Sequence, residues 1–363
     1  MKCRTYGIDV NALARTQYTG VERYVFELIT ELIKKPLYKD ERVFLYSSKV
    51  IKELGQLPYG WEWKILKLPI IPKGWTHLRL SLELLLNPPS VFFSPAHEIP
   101  LFSRRTKIVN TIHDIAFVHV PEVYTFCAQV RQRWAVKRSM KRSAHILAVS
   151  QTTKDDLLNQ YSIDPVKITV TRLGVRLSDQ KTVQKTKNHF FALGRVEKKK
   201  NIAFLIEVFE KFLEKNPGKD VKLVLGGKMG DGSNSICQRI EGSPAKNNIV
   251  ILGYVSDERM RDLMAESIAY VFPSSYEGFG LPALEAMSHC APVIASDIPA
   301  LREVCDKAAL FASPTDHQEW LDALDKVSNQ DLRNELIRRG KERIKDFSWT
   351  DAAQKTLKVL RNV

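Results

Sequence analysis

The segment EGFGLPALEAM places two carboxylates, Glu277 and Glu285, with seven residues between them. Gly278 and Gly280 follow the first acid, and Pro282 precedes the second. Proline is preorganised for the first helical position, so Pro282 predicts a helix start there. Glycines just ahead of a helix N-terminus leave backbone N–H groups open to an anion, and the helix dipole adds to their pull. The chemistry offered is diphosphate binding. Glu277 lies before the glycines and Glu285 about one turn inside the helix, so both can reach one pocket from opposite sides of the phosphates. A carboxylate that accepts from two vicinal hydroxyls holds a ribose or a hexose. Taken singly, each acid has a plainer role, Glu277 as a solvated residue and Glu285 as a first-turn acid favoured by the dipole.

Other candidates also stand where strands end. Arg195 and Lys200 lie in GRVEKKKN (194–201), after the apolar run HFFALG, and Asn201 is the expected cap of the helix that follows. Lys198 and Lys199 suit a solvated turn better. His113 ends the run KIVNTI, and Asp114 beside it either assists a reacting hydroxyl or bonds the loop backbone. His97 and Glu98 follow FSPA and face the same rim. Gly20, after Thr19, lets the first loop approach a ligand closely. No G-x-G-x-x-G follows the first strand and no GK[ST] loop occurs, so a dinucleotide dehydrogenase or an NTPase is unsupported. No D-x-D pair or Asp cluster appears, and no metal or other cofactor is expected.

These residues need a scaffold of strands and helices. TYGIDV, RVFLYSS, VFFSPA, KIVNTI, HILAVS and KITVTRL read as buried strands, with VERYVFELITELIKK, THLRLSLELLL, AQVRQRWAVKRSMKRS and QTTKDDLLNQY as helices between them. Ser150 stands where the last of these helices needs a cap. After a polar stretch the alternation restarts with HFFALG, KLVLGG, NIVILGYV, IAYVFPS, PVIAS and AALFAS. NIAFLIEVFEKFLEK and the helix capped by Ser256 lie among them. Such alternation means parallel sheets covered by helices on both faces. The expected fold class is α/β, with two doubly wound, Rossmann-like domains facing across a cleft and ligands at strand C-termini. The expected boundaries are 1–178, a linker at 179–188, 189–345, and a closing helix within 346–363 that packs back on the first domain.

EGFGLPALEAM resembles the two-glutamate signature of the retaining glycosyltransferases of family 4, which have the two-domain GT-B architecture. The resemblance covers nearly the whole chain. GRVEKKKN looks like that family's arginine/lysine loop, ILGYVSDERM its base-binding edge, and SDIPALREVCDKAALF the segment after the signature. GIDVNALARTQYTGVERYVFEL, FSPAHEIP and TIHDIAF resemble the opening glycine loop, central strand and histidine loop of the first domain. The resemblance implies that Arg195 and Lys200 neutralise a donor diphosphate, where leaving-group charge develops in the transition state. Glu285 would hold ribose hydroxyls, and Glu277 donor-sugar hydroxyls and an oxocarbenium-like sugar. Gly278, Phe279, Gly280 and Leu281 would offer main-chain N–H groups, Tyr254 and Val255 would meet the base, and Gly20 the donor or acceptor. His113 would touch the donor sugar, with Asp114, His97 and Glu98 on the acceptor side. In this family the outgoing phosphate oxygen can take the acceptor's proton, so Glu277 is not assigned as a general base.

The opening and FSPAHEIP look most like bacterial mannosyltransferases, which makes GDP-mannose the favoured donor and a surface glycan or lipid-linked oligosaccharide the acceptor. A UDP-sugar or deoxysugar donor stays open. So do a non-catalytic nucleotide-sugar binder and a phosphorylase or epimerase on the same architecture.

The 363 residues carry a net charge of +14, of which +11 falls in residues 1–180. That asymmetry suggests an anionic partner for the first half or a generally basic surface. Arg131, Arg133, Lys137, Arg138, Lys141 and Arg142 crowd one helix around Trp134 without an acid. At about 100° per residue, Arg131, Arg138 and Arg142 form one stripe. The helix is either an anionic-membrane contact or a solvated face, and no nucleic-acid motif accompanies it. No apolar run reaches the roughly 18–20 residues that span a bilayer, and the N-terminus lacks a signal peptide's apolar stretch. The expectation is a cytoplasmic chain, or one at the inner face of the cytoplasmic membrane, with five scattered, reduced cysteines.

Overall fold

A computed structural model of the chain describes residues 3–15, 17–67, 75–103, 105–177, 187–195, 197–230 and 232–363. They fall into two compact units. The first contains Met1–Phe117, Tyr124–Gly174 and Ser348–Val363, and the second contains Val118–Val123 and Val175–Phe347. Of the stretch expected as a linker, 179–186 lie outside the described residues.

The first unit holds seven parallel strands: β1 (Arg4–Asp9), β2 (Glu41–Ser47), β3 (Trp61–Ile65), β4 (Val91–Ser94), β5 (Lys107–Ile112), β6 (His145–Ala148) and β7 (Ile168–Val170). Their order is β3-β2-β1-β4-β5-β6-β7. The central strands are apolar on both faces because helices cover both, and Phe92, Phe93, Val109 and Leu147 are fully buried. The helices are α1 (Gly20–Ile33), α2 (Leu80–Leu86), the short α3 (Ala116–His119), whose last two residues fall in the second unit, α4 (Phe126–Arg142) and α5 (Gln151–Gln160). Thr19 and Glu22 close a capping box on α1, and Ser150 caps α5 by accepting from the Thr153 N–H at 2.8 Å. The stretch THLRLSLELLL, expected as one helix, opens as a π-turn over Trp75–Arg79 and becomes α-helical only from Leu80.

The second unit holds β8 (His189–Leu193), β9 (Lys222–Gly226), β10 (Ile249–Gly253), β11 (Ala269–Phe272), β12 (Val293–Ser296) and β13 (Ala309–Ala312), all parallel, in the order β10-β9-β8-β11-β12-β13. Its helices are α6 (Ile202–Lys215), α7 (Ser233–Glu241), α8 (Asp257–Glu266), α9 (Leu281–Ser288), α10 (Pro299–Cys305), α11 (His317–Lys326) and α12 (Gln330–Arg343). Leu205, Val208, Phe209 and Phe212 of α6 pack with Phe190, Leu223 and Trp320 in one core. Ser256 caps α8, accepting from the Arg259 N–H at 3.2 Å. Asn201 does stand at the start of α6, but its side chain does not cap the helix. It sits in left-handed backbone with φ of 55° and donates to the Pro314 carbonyl at 2.8 Å.

The last helix, α13 (Trp349–Asn362), belongs to the first unit and lies along α1. Arg361 pairs with the buried Glu41 at 2.6 Å, and Thr350 donates to Glu31 at 2.9 Å. The Cβ that any other residue would carry at Gly174 would lie 2.1 Å from the Trp349 backbone nitrogen, so the approach requires glycine.

Candidate active site

In an open parallel sheet, ligands bind beyond the strand C-termini where the strand order reverses. In the second unit that point lies between β8 and β11, and the residues singled out in the sequence gather there. β8 ends at Leu193 and passes through Gly194 into a single 3₁₀ turn, Lys198–Lys200. Lys200 folds back from that turn: its side chain is 16% exposed, and Nζ lies 2.6 Å from Oε1 of Glu277, itself 11% exposed. The ammonium also stands 5.4 Å from the centre of the Phe272 ring. The Ser275 N–H donates to the Lys199 carbonyl at 3.1 Å, which clips the two loops together.

Burial pushes the Glu277 carboxyl up, but Lys200 and then Lys199 outweigh it and hold the group below the usual carboxylate range. Ser274, two residues past the end of β11, is fully buried beside this pair. Glu285 is nearly buried on α9. Burial pushes the Tyr270 phenol up, and the carboxylates of Glu285 and then Glu277 push it further. Tyr270 donates to the Leu193 carbonyl at 3.2 Å, tying β11 to the end of β8.

Gly280 is the N-cap of α9 at φ of 109°, and a Cβ there would lie 2.5 Å from Leu301 Cδ2. Glycine is therefore required on two counts, backbone conformation and space. The helix begins at Leu281, so Pro282 occupies its second position rather than its first. The backbone from Gly278 to Leu281 thus runs into the N-terminal end of α9, where N–H groups lack helical partners. Phe279 is buried against Phe347, with ring centres 5.8 Å apart, so this residue anchors the loop by its side chain.

Arg195 stands apart from the Lys200–Glu277 pair. Its side chain is 57% exposed and lies 4.0 Å from Glu197. Its stem runs along Gly230, where an added Cβ would meet Arg195 Cγ at 2.9 Å. Tyr254 and Val255 follow β10, and the Tyr254 ring is 48% exposed.

The first unit has its own reversal point, between β1 and β4, and His97, Glu98, His113 and Asp114 lie around it. The His113 backbone N–H donates to His97 Nε2 at 3.0 Å, and the two rings stack with centres 5.6 Å apart. His113 Nε2 lies 2.9 Å from the Pro95 carbonyl, so that nitrogen carries the proton and Nδ1 is left as an acceptor. Burial, then His97, push His113 down to about 4, so the ring is neutral at physiological pH. Asp114 accepts from the Ala116 N–H at 3.0 Å, the loop-bonding alternative. Glu98 lies 3.5 Å from His77. Gly20 begins α1, and an added Cβ there would meet nothing within 4 Å.

Three participants escaped sequence reading. Asp9, at the end of β1, accepts from the Asn11 N–H at 2.9 Å, and burial pushes its carboxyl up to about 7. A lone aspartate closing a strand carries no distinguishing signal. Ser274 is equally anonymous. The third is His119, whose ring stacks on Tyr276 at 4.8 Å, beside Glu277. Nothing in composition marks Val118–Val123 as belonging with the second unit.

Comparison with known proteins agrees with this fold. The family described as Glycosyl transferases group 1 matches residues 176–343, and Glycosyltransferase Family 4 matches residues 18–179. The chain belongs to the glycosyltransferases. It is 33% identical over 231 residues to the O-antigen chain mannosyltransferase RfbU of Salmonella typhimurium, a match covering 64% of this chain and 63% of that one. It is 26% identical over 370 residues to the O-antigen chain mannosyltransferase B of Escherichia coli, covering 93% and 95%. The fold is close to that of sucrose-phosphate synthase from Thermosynechococcus elongatus, with a TM-score of 0.77 at 16% identity over 99% and 98% of the two chains. WaaG, a glycosyltransferase involved in lipopolysaccharide biosynthesis, gives 0.73 at 14% identity over 98% and 99%. The two parallel-sheet, Rossmann-like domains are those of the GT-B fold, as the sequence predicts.

Proposed function

We propose that the chain transfers a hexose with retention of configuration from a nucleotide sugar to a glycan or lipid-linked oligosaccharide, as a step of bacterial surface-polysaccharide synthesis. GDP-mannose is the favoured donor, because two relatives of this chain are described as O-antigen mannosyltransferases. The observation that carries the reading is the Lys200–Glu277 pair at the mouth of α9, with Glu285 nearby. A cation, a helix N-terminus and two acids at one strand reversal suit a diphosphate joined to two polyols. The positive charge of Arg195 and Lys198–Lys200 supplies, without a metal, what a departing nucleoside diphosphate needs.

The test is a panel of GDP-mannose, UDP-glucose, UDP-galactose and a deoxysugar nucleotide, read by thermal protection and by nucleotide release with and without chelator. Protection and release with GDP-mannose, unchanged by chelator, is the expected result. Protection without release in the presence of acceptor glycans makes the chain a binder, and no response to any donor overturns the proposal.

A separate observation favours contact with an anionic membrane through the first unit, which would place the chain at the cytoplasmic leaflet. Phe126, Val130 and Trp134 of α4 are exposed among Arg131, Lys137, Lys141 and Arg142. Leu78, Leu82 and Phe102 are exposed close by: His77 meets the Trp134 ring edge-on at 6.3 Å, and Ser81 accepts from the Leu101 N–H at 2.8 Å. Apolar side chains ringed by cations suit an anionic bilayer surface. Arg138 has its guanidinium 5.7 Å from the centre of the Trp134 ring. It bonds the carbonyls of Ile99 (3.4 Å), Pro100 (2.7 Å) and Leu101, and so holds the loop that carries Phe102. No described helix is long and apolar enough to cross a membrane. Flotation with anionic rather than neutral vesicles, lost in Trp134→Ser with Phe102→Ser, supports the contact, and equal recovery with both vesicle types overturns it.

A further inference from the structure

Glu41, buried at the start of β2, organises a surface at the end of the first sheet opposite its strand C-termini. Its carboxylate accepts from Arg361 Nε and Nη2 at 2.9 and 2.6 Å, from the Tyr38 N–H at 2.9 Å and from the Tyr6 hydroxyl at 2.8 Å. Arg361 also bonds the Pro36 carbonyl at 3.1 Å, and its guanidinium stands 4.1 Å from the centre of the Tyr38 ring. A second pair lies beside it. Arg42 donates to the Glu41 carbonyl at 3.0 Å and to the Tyr59 hydroxyl at 3.1 Å, with its guanidinium 5.0 Å from the Tyr59 ring centre. The Val43 N–H donates to the Gly60 carbonyl at 2.8 Å. The segments that carry the two rings therefore enter β2 and β3 side by side, one strand spacing or about 4.8 Å apart.

Each tyrosine is held by an arginine that is itself fixed, yet the Tyr38 and Tyr59 side chains are 64% and 85% exposed. Holding the rings in advance lowers the entropy lost when something stacks on them. From 36 to 42 and from 56 to 63 these two are the only large hydrophobic side chains exposed among the described residues, and Lys39, Asp40 and Gln56 are exposed around them. A stable protein interface buries about 800 Å² on each partner around an apolar centre, and two tyrosines set among polar groups supply neither. An acyl chain likewise finds no aliphatic surface here, in contrast to α2 and α4. A sugar fits better. One face of a pyranose is a set of C–H groups, which meets the negative face of an aromatic ring, while its rim hydroxyls accept from guanidinium N–H groups.

We propose that Tyr38 and Tyr59, backed by Arg361 and Arg42, form an anchoring surface on which sugars of a glycan chain stack, remote from the place of transfer. The inference rests on the reading that the chain acts on a glycan. The seven residues of β2 rise about 3.3 Å each, so the surface lies roughly 20 Å from the opposite end of the sheet. His97 and His113 stand at that opposite end. A monosaccharide cannot span the interval, whereas a polysaccharide held by the tyrosines keeps its end at high local concentration near the strand C-termini. The surface thus favours long acceptors over short ones.

The experiment is affinity electrophoresis of the full chain, which carries a net charge of +14 and runs towards the cathode, through gels holding neutral linear α-mannan or dextran. The α-mannan gel should retard the wild type. Tyr59→Ala should weaken that binding about tenfold, and Tyr38→Ala with Tyr59→Ala should abolish it. Tyr59→Phe, which keeps the ring, should preserve it. Melting temperature and nucleotide release with a short acceptor should be the same in all of them, because the two rings are exposed and far from the strand C-termini. A wild type that neither polymer retards, or a double variant retarded as strongly as the wild type, overturns the inference. So does sedimentation that shows a dimer in the wild type and a monomer in the double variant, which assigns the surface to a second copy of the chain. Retardation lost with the two rings in a chain that accepts no nucleotide sugar overturns the proposed function and leaves the anchoring surface standing.

Discussion

Replacing Lys200 by methionine removes the cation from a nearly buried ion pair at the proposed donor site and keeps most of its stem volume. At the observed 2.6 Å, two unit charges attract by about 6 kcal/mol at an effective dielectric constant of about 20. Part of that is offset by the several kcal/mol each ion loses on leaving water. With only 16% and 11% of the two side chains exposed, solvent screening is slight. Removing one partner then leaves an uncompensated carboxylate and costs about 3 kcal/mol at pH 7.5.

The pH dependence gives the cost its signature. In the wild type the Glu277 carboxyl is held below its ordinary value of 4.5, so its stabilising contribution is complete above that pH and is lost as the pH falls through the folded value. Without Lys200 the largest lowering influence is gone and burial dominates. The carboxyl rises above 4.5, and the folded chain then pays for ionising it at every higher pH. The deficit of Lys200→Met relative to wild type is therefore full near pH 7.5 and shrinks as the pH falls through the variant's raised value towards the wild type's lowered one, so it is smaller at pH 4.5. Urea unfolding followed by tryptophan fluorescence, at pH 7.5 and 4.5, measures it. Adding Glu277→Gln should recover about 2 kcal/mol at pH 7.5, because the stranded charge is removed. A deficit equal at the two pH values, or a coupling below about 0.5 kcal/mol in the double-mutant cycle, would refute the argument.

In NMR spectra of labelled histidine, His113 should titrate near 4, well below the ordinary value of 6.5, and therefore contribute stability that is lost as the pH falls through 6.5 towards 4; an inflection between 6 and 7 contradicts the buried, Pro95-bonded ring. Gly280→Ala, which places a Cβ 2.5 Å from Leu301 Cδ2 in left-handed backbone, should cost about 2 kcal/mol or more and abolish nucleotide protection in a melting assay; an unchanged melting temperature refutes the requirement for glycine. Asp9→Asn should stabilise the chain above pH 7, because burial raises the wild-type carboxyl from 3.8 to about 7 and the folded state is penalised for ionising it there; equal stability at pH 8 refutes the raised value.

The two-sheet architecture was legible because buried parallel strands read as short apolar runs between amphipathic helices. The strand that escaped, β3, shows why the reading has an edge. Trp61–Ile65 is WEWKI, whose charged residues face outward at the margin of the sheet, with Lys64 over the Phe44 ring at 4.9 Å. It lacks the continuous apolar run of a central strand. Asn201 was placed at the correct helix start but for a reason the structure replaces, since its bond goes to Pro314, more than a hundred residues away. Arg138 fits the stripe expected from helical spacing, yet its partners lie near Ile99 and no periodicity can point to them. Long-range polar partners are invisible to local pattern, and they are what orient the site.

For Glu277 the fold adds a physical reason to the role that the family resemblance implies. Sequence alone leaves an acid beside a reacting sugar open to service as nucleophile, base or electrostatic support. A general base works best with a proton affinity matched to the operating pH. Lys200 and Lys199 hold Glu277 ionised and below the ordinary carboxylate range, which makes it a poor proton acceptor near neutrality. Its Oε1 is also committed to the lysine ammonium at 2.6 Å. A fixed negative charge with weak basicity is suited to supporting positive charge on a sugar carbon. In the transfer proposed above the acceptor's proton goes to the leaving phosphate, which gains charge and basicity as the donor's sugar–phosphate bond breaks. The lowered proton affinity of Glu277 is thus consistent with the same-face, phosphate-assisted transfer proposed above.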